Sequence, residues 1–380
     1  MAGIYIHIPF CRQACHYCDF HFSTSLSKKQ PFITALLKEL ELRSKDWRTE
    51  KVETIYFGGG TPSILDTGEL NQILEQVHSF YHVSKEPEIT LEANPDDLKT
   101  EQKYLDLKNA GVNRLSMGIQ SFFDRDLKLM NRSHDAGEAQ YAIELATKHF
   151  ENVTIDLIYG TPGLSDLDWI RNIELALGYG VPHISSYALT VEPKTALEKF
   201  IERGAVSPVD EEQAERQFRI LTDKLNTAGY IHYELSNFGK PGFFSKANTG
   251  YWLGKKYGGF GPSAHSYDGT RRSWNIASNP VYIKKLLNDE LPSESEVLTV
   301  IDRYNEYIMT GLRTIWGVDL ERIKKDYGVE YLEYLKKESS SQLENGLLEL
   351  QEIEGRSVLR TTSKGRFLAD GIASSLFFIN

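Results

Sequence analysis

The sequence predicts an α/β protein: an incomplete barrel of six (β/α) units, followed by a small helical or winged-helix-like C-terminal domain. Two observations carry this prediction. Six short apolar segments rich in β-branched residues recur along the first half of the chain, and amphipathic helical segments separate them. Strands that are almost continuously apolar belong to parallel sheets covered by helices. Six such units suit an open or incomplete barrel better than a closed eight-fold one.

The elements follow from periodicity. Strands are predicted at residues 4–8, 54–57, 89–92, 114–119, 153–158 and 183–189. Helices are predicted between them at 31–46, 67–80, 98–110, 124–150 and 167–180. A further helix is predicted at 209–229, and the Gly-, Asn- and aromatic-rich segment 231–285 is predicted to form strands and loops.

The polar stretch NDELPSESE at 288–296 is predicted to be a linker. It would divide the chain into a barrel with its extension (1–287) and a C-terminal domain (297–380). The domain is predicted to hold helices at 297–313, 319–326 and 329–352, a hairpin at 357–361 and a last helix at 363–377.

Composition narrows the function classes. The chain is 41% apolar and 25% charged, with a net charge of −10 and no Lys/Arg block. Such a chain is a poor candidate for binding nucleic acid or an anionic membrane. No apolar run approaches the ~18 residues of a membrane span, and the start MAGIYIHIPF is typical of a strand rather than a signal peptide. We therefore expect a cytoplasmic protein.

The three cysteines of the chain lie together as C-x3-C-x2-C, at Cys11, Cys15 and Cys18. They follow the first predicted strand directly, on the edge where active sites of α/β folds gather. An odd number of cysteines in a reducing compartment argues against a disulfide framework. Three thiolates on one short loop can instead converge on a soft metal centre.

Three interpretations of this loop stay open on the residues alone. Structural zinc would need a fourth ligand, for which His16 or His21 is available. Two ordinary cysteines and a stray one are also compatible. The third interpretation is a four-iron cluster with three protein ligands. Most iron–sulfur proteins supply a fourth cysteine, and this chain has none, so one iron would be open to an external ligand.

The cysteine spacing, with the aromatic Tyr17 before the last cysteine, resembles the signature of the radical S-adenosylmethionine (SAM) superfamily. The resemblance implies a radical SAM barrel with a [4Fe-4S] cluster on the three cysteines. It also implies that SAM chelates the open iron and is cleaved reductively to a 5′-deoxyadenosyl radical. In such an enzyme the cofactor carries the radical chemistry, and the protein orients it and excludes water.

Other motifs fit this resemblance. The glycines of YFGGGTPS (56–63) would let the backbone approach a ligand and free its N–H groups, although a plain tight turn has the same pattern. Glu92 could be a solvated strand-end carboxylate, and His7 a satisfied barrel histidine. Asp156 stands in an apolar strand, where a charge is costly without a partner. The resemblance implies SAM contacts at Tyr5, Tyr17, Gly59, Gly60, Thr61, Glu92, Gln120, Arg132, Asp156 and Ala188.

The order of YIHIPFC, FGGGTPS, LEANP, RLSMGIQSF, IDLIYGTPG and YELSNFGKPGF resembles the oxygen-independent coproporphyrinogen III oxidase family over most of the chain. The oxidases of that family carry a fourth cysteine two places after the third and a longer N-terminal extension. Here that place holds Phe20, and ten residues precede Cys11. Both features resemble the HemW-type branch of haem chaperones.

The chaperone branch has an H-N-x-x-Y-W motif whose histidine is a candidate haem ligand. This chain keeps Asn248, Tyr251 and Trp252, a possible haem region, but has Ala247 in place of the histidine. A methyl group cannot ligate iron. His232 and His265 flank the motif and are substitute candidates, although either could be an ordinary hydrogen-bonded histidine. The aromatic residues nearby could line a slot for a macrocycle or simply form core.

The resemblance thus implies a haem chaperone with a [4Fe-4S] cluster, SAM and possibly haem. Expected partners are haem or a porphyrinogen, a haem-acceptor protein and an electron donor, and the chain could form a homodimer. The alternative is an oxidase that decarboxylates the propionates of coproporphyrinogen III. Position 20 favours the chaperone, whereas Ala247 weakens the case for haem. SAM cleavage is expected in either case.

Overall fold

The structure is a computed structural model that describes residues 2–353 and 355–379. The strands are β1 (Ala2–Ile8), β2 (Lys51–Gly59), β3 (His82–Ala93), β4 (Arg114–Gln120), β5 (Asn152–Tyr159), β6 (His183–Ala188), β7 (Ile231–Glu234), β8 (Asn237–Gly239), β9 (Lys256–Phe260), β10 (His265–Tyr267), β11 (Arg271–Asn275), β12 (Ser293–Val297), β13 (Val318–Asp319), β14 (Leu348–Ile353) and β15 (Arg356–Thr361). The helices are α1 (Lys29–Leu42), α2 (Thr67–Phe80), α3 (Glu101–Asn109), α4 (Asp124–Leu129), α5 (Ala136–His149), α6 (Asp166–Gly178), α7 (Ala196–Glu202), α8 (Glu211–Thr227), α9 (Lys246–Trp252), α10 (Asn279–Leu287), α11 (Val300–Leu312), α12 (Leu320–Asp326), α13 (Val329–Glu338), α14 (Ser340–Glu344) and α15 (Ala369–Ser375).

A single large sheet organises the first three quarters of the chain. Its strand order is β12-β11-β10-β9-β1-β2-β3-β4-β5-β6-β8-β7, and β1 to β6 pair in parallel in sequence order. These are the six predicted strands, and the predicted incomplete α/β barrel is confirmed. Strand β9 pairs in parallel with β1, and antiparallel strands extend the sheet beyond β9 and beyond β6. The parallel pairing of β1 to β6 places their carboxyl ends together at one mouth.

Two segments outside the barrel strands contain more helices than predicted. The predicted helix 124–150 is two helices, because Asp135 begins α5 with a capping box that it forms with Glu138. The segment 231–285 also contains α9 and α10, short helices within an aromatic-rich stretch that has little helical periodicity.

The expected linker at 288–296 runs into strand β12, which pairs with β11 at the edge of the sheet. All five residues of β12 are exposed. Strand β12 is therefore held by its backbone hydrogen bonds to β11. Its side chains lack the hydrophobic alternation from which a strand could have been predicted. The strand adds Ser293–Val297 to the large sheet.

The prediction of one helix at 329–352 is wrong in its second half. Helix α14 ends before Gly346, which has a φ of 65°, and β14 then pairs with β15. The C-terminal region packs its helices on the three-stranded sheet β13-β15-β14 around an apolar cluster that includes Tyr304, Ile308 and Leu335. Within the described residues, no helix combines the length and hydrophobicity required to cross a membrane.

Candidate functional site

A cavity of about 140 Å³ opens at the mouth of the barrel. It collects most of the residues singled out in the sequence, namely Cys11, Cys15, Tyr17, Cys18, Gly59, Gly60, Thr61, Glu92, Gln120, Arg132 and Asp156. Two predicted SAM contacts lie outside its lining. Tyr5 donates its hydroxyl hydrogen bond to Nδ1 of His7 (3.1 Å), and Ala188 lies partly buried at the end of β6.

The cysteine loop leaves β1 and is fixed at both ends by backbone hydrogen bonds. The Cys11 N–H donates to the Ser23 carbonyl (3.0 Å), and the Ser23 N–H donates to the Pro9 carbonyl (2.9 Å). Burial raises the pKa of the Cys11 and Cys18 thiols to about 11. In the metal-free chain these thiols are therefore protonated, and metal binding has to displace their protons.

The structure argues against a structural zinc site at the cysteine loop. Among the described residues, no group of three or more His, Cys, Asp or Glu side chains is gathered tightly enough for one metal ion. His16 is hydrogen-bonded to the Leu129 carbonyl (2.9 Å), and His21 to the Asn279 side chain (2.8 Å). Neither imidazole is placed to complete a zinc site. A four-iron cluster makes a different demand, because its cysteines bind separate irons.

Arg132 connects the cysteine loop to the strand ends. Its Nη1 lies 3.4 Å from Sγ of Cys15, and its Nη2 donates to Oδ1 of Asn94 (2.6 Å) and to the Gly118 carbonyl (2.7 Å). Asn94 in turn donates to Oγ1 of Thr61 (3.2 Å). Sequence analysis missed Asn94, although it stands two places after Glu92 on the same strand end. The buried Nε of Arg132 has no partner within the described chain, so it can serve a bound ligand.

Close contacts within the protein require glycine at positions 59 and 60. A Cβ on Gly60 would lie 2.6 Å from the Phe10 carbonyl oxygen, and one on Gly59 would lie 2.4 Å from the His7 ring. The N–H groups of Gly60 and Thr61 already donate to β1 and its loop (2.9 and 2.7 Å). Our expectation that this turn frees its N–H groups for a ligand was therefore wrong. The glycines allow close approach of two backbone segments.

Glu92 and Asp156 are the two carboxylates of the cavity. Glu92 accepts hydrogen bonds from the Tyr56 hydroxyl (2.8 Å) and the Gly59 N–H (3.1 Å). Burial raises the pKa of Glu92 to about 7 and that of Asp156 to about 6. Neither has a cation within ion-pair distance in the described part of the chain. A cationic ligand group would therefore be stabilised here.

Gln120 stands at the carboxyl end of β4 in the left-handed region, with a φ of 67°. The β4–β5 register shifts between Gly118 and Gln120, so the strand is irregular where it reaches the cavity. Strained backbone of this kind tends to mark functional sites. The sequence predicted the position of Gln120 but gave no signal of this conformation.

The possible haem region lies on α9 and is divided between two other cavities. Ala247 is buried and lines a cavity of about 190 Å³. Trp252 lines a groove of about 870 Å³, and Tyr251 lines both. Asn248 lines neither. The buried Glu88 accepts hydrogen bonds from the N–H groups of Lys246 and Ala247, which holds the start of α9.

Neither substitute haem ligand lies in these cavities. His232 stacks on Phe238 (ring centroids 4.1 Å apart) and hydrogen-bonds the Leu235 carbonyl. Burial lowers the pKa of His232 to about 3, as expected for a core histidine. His265 is exposed at the start of β10, beside Trp274.

Comparison with known proteins places this site in a family. Residues 5–176 match the radical SAM superfamily model, and residues 298–368 match the HemN C-terminal domain. The chain is 35% identical to the heme chaperone HemW of Mycobacterium tuberculosis, over 98% of this chain and 94% of that protein. It is also 35% identical to the heme chaperone HemW of Bacillus subtilis, over 86% and 87% of the two chains.

The chain belongs to the HemW family of radical SAM proteins. The family predicted from the motifs is thus confirmed. The solved structure of coproporphyrinogen III oxidase (HemN) from Escherichia coli superposes with a TM-score of 0.85 at 21% identity, over 99% of this chain and 90% of that one. That likeness shows the shared fold. Membership of the superfamily implies a [4Fe-4S] cluster and SAM, and the Cys11, Cys15 and Cys18 motif is present.

The lining residues fit these groups. Three thiols supply the soft donors that iron–sulfur clusters use. Two partly buried carboxylates with no ion-pair partner among the described residues suit the positively charged parts of SAM. The Nε of Arg132, which has no hydrogen-bond partner in that part of the chain, suits an acceptor. The residues gathered at the mouth therefore match the chemistry that the superfamily implies.

Proposed function

We propose that this protein is a haem chaperone, which binds haem and transfers it to an acceptor protein. The observation that carries the proposal is 35% identity over 98% of the chain to a protein named a heme chaperone. Relatives similar to this chain over most of its length include further proteins of that name. A haem-acceptor protein and an electron donor are the partners that this function requires. The cytoplasmic location and the homodimer stay predictions.

In this proposal Cys11, Cys15 and Cys18 hold a [4Fe-4S] cluster, and SAM occupies the mouth beside it. When bound, the cluster supplies one electron for reductive cleavage of SAM. The side chains of the protein provide binding and orientation. Glu92 and Asp156 would orient the cationic part of SAM, and Arg132 would hold the cysteine loop against the strand ends through Asn94.

Phe20 supports the chaperone over the oxidase. Its side chain is 67% exposed and borders the cysteine cavity. An apolar ring therefore stands where the oxidase branch has a further thiol. The competing observation is the cavity itself, whose lining is compatible with radical chemistry. Oxidation of coproporphyrinogen III is for this reason the second candidate.

One anaerobic experiment separates the two functions. The reconstituted protein is given SAM, a strong reductant and coproporphyrinogen III, and the porphyrins are analysed after oxidation. In parallel, the haem-loaded protein is mixed with an apo-haem protein, and transfer is followed by absorbance. We expect transfer and no decarboxylated product. Decarboxylated product without transfer would overturn the chaperone proposal and favour the oxidase.

A further inference from the structure

A groove of about 870 Å³ lies between the extended sheet and the C-terminal helices, and we call it the interdomain groove. Its volume falls in the range of about 300–1,000 Å³ that is usual for small-molecule sites. It is distinct from the cysteine cavity. Its lining comprises Tyr251, Trp252, Gly254, Tyr257, Tyr267, Gly269, Arg272, Glu296, Leu298, Asp302, Arg303, Asn305, Glu306, Tyr307, Met309, Thr310, Arg322, Asp326, Tyr327 and Phe377.

Two walls of the interdomain groove carry aromatic rings. On the sheet side, Tyr251 meets Tyr257 edge to face (centroids 4.6 Å apart), and Tyr257 lies 6.3 Å from Tyr267. On the C-terminal side, the Tyr307 and Tyr327 rings lie with their centroids 6.2 Å apart, and the Arg322 guanidinium lies over the Tyr307 ring, 4.2 Å from its centroid. Aromatic rings on two sides of the groove favour a ligand with a flat apolar face.

The lining of the groove contains three arginines and four acidic residues, and its two ion pairs leave one arginine and two acids. Arg272 pairs with Glu306 (2.6 Å), and Arg322 pairs with Asp326 (3.3 Å). Of the two other acids, Asp302 accepts the helix-capping bonds of Thr299, and Glu296 lies opposite Arg272 across the β11–β12 pair.

Arg303 is the remaining cation. Within the described chain it forms no ion pair, and its Nε is buried without a hydrogen-bond partner. A buried donor in this state costs free energy unless a ligand satisfies it. A carboxylate is the natural acceptor, because the planar guanidinium matches its geometry. The groove therefore suits a flat ligand with at least one carboxylate.

We propose that the interdomain groove is the haem-binding site, with the macrocycle between the two tyrosine walls and one propionate on Arg303. This inference rests on the proposed chaperone function and adds the location of the ligand. It does not depend on a ligand at position 247, because Ala247 lines the smaller cavity. Tyr251 borders both spaces, so the haem would lie on the far side of α9 from the small cavity.

The test is a haem titration of the full-length reconstituted protein, followed by absorbance under anaerobic conditions. Arg303→Gln removes the charge and keeps a side chain of similar reach. We expect its Kd for haem to rise roughly tenfold, the loss of one charge-assisted hydrogen bond. The control is Arg216→Gln, at an exposed position of α8, where the arginine pairs with Asp166 at the surface (3.4 Å). It should leave the Kd unchanged.

A second measurement needs no variant and so does not depend on whether Arg303→Gln folds. The wild-type protein is titrated with the dimethyl ester of haem, which lacks both carboxylates. We expect weaker binding of the ester than of haem, and no such discrimination by Arg303→Gln. Equal binding of ester and haem by the wild-type protein would overturn the groove assignment and leave the chaperone function standing. No haem binding at all would overturn the function itself.

Discussion

Glu92 offers a direct test of the electrostatics of the barrel mouth. Its carboxylate accepts two hydrogen bonds, from Tyr56 and Gly59, yet burial raises its pKa from 4.5 to about 7. A raised pKa means that the folded chain favours the protonated acid. Stability from this group is complete below pH 4.5 and is lost as the pH rises through 7. The perturbation is Glu92→Gln, which cannot ionise.

The magnitude follows from the pKa difference. At 1.36 kcal/mol for each pKa unit, ionised Glu92 destabilises the fold by about 3 kcal/mol above pH 8 and by less than about 1 kcal/mol at pH 5. Glu92→Gln cannot ionise, so this destabilisation is absent from the variant. Any hydrogen-bond energy that the amide loses at Tyr56 and Gly59 is the same at both pH values. The difference in unfolding free energy between variant and wild type should therefore move by roughly 2.5 kcal/mol in favour of the variant between pH 5 and pH 8.5.

The assay is urea unfolding of the protein without cluster or SAM, in reducing buffer at pH 5 and pH 8.5. Glu75→Gln, at an exposed position of α2, is the matched control and should show no such change. If the free-energy difference for Glu92→Gln is the same at both pH values, the carboxylate is solvated and the reasoning fails. A bound cation would hold Glu92 ionised, so we also expect SAM to bind more tightly at pH 8 than at pH 6.

Four further changes test the site. Cys15→Ser should abolish the thiolate–iron absorption near about 400 nm after reconstitution, and full retention of that band would contradict the cluster assignment. Gly60→Ala should destabilise the fold by roughly 1–3 kcal/mol in urea unfolding because its Cβ would meet backbone atoms, whereas Gly178→Ala, which meets nothing within 4 Å, should not destabilise it. Asn94→Ala should weaken SAM binding in calorimetry because Arg132 loses one of its hydrogen-bond partners at the strand ends, and unchanged affinity would refute that linkage. Ala247→His should leave the haem Kd unchanged, and a much tighter complex would place the iron at the small cavity.

The barrel could be predicted because its strands are buried on both sides. Such strands are mostly apolar, and composition therefore indicates a covered environment. β4 is buried at every residue, including its polar residues Arg114, Ser116 and Gln120. The strand within the predicted linker at 288–296 was missed for the opposite reason. β12 is exposed at every residue, and its pairing with β11 leaves no trace in the side chains.

The cofactor mouth could be predicted because each motif stands at a strand end, and parallel strands bring their carboxyl ends to one edge. What the sequence could not supply was the direction of hydrogen bonds. The N–H groups of Gly60 and Thr61 are consumed by β1 and its loop, and Asn94 joins Thr61 to Arg132. Such links depend on side-chain geometry between elements far apart in the chain.

The interdomain groove had no sequence signature because its walls come from segments distant in the chain. Tyr257 and Tyr267 stand on the sheet, whereas Arg303 and Tyr307 stand on α11. Docking of the C-terminal region on the sheet is what creates the space between them. A chaperone must release its ligand as well as bind it, and a site closed by two separate packing units can open by a small movement between them. A haem site in this groove would therefore suit transfer better than one enclosed within the barrel.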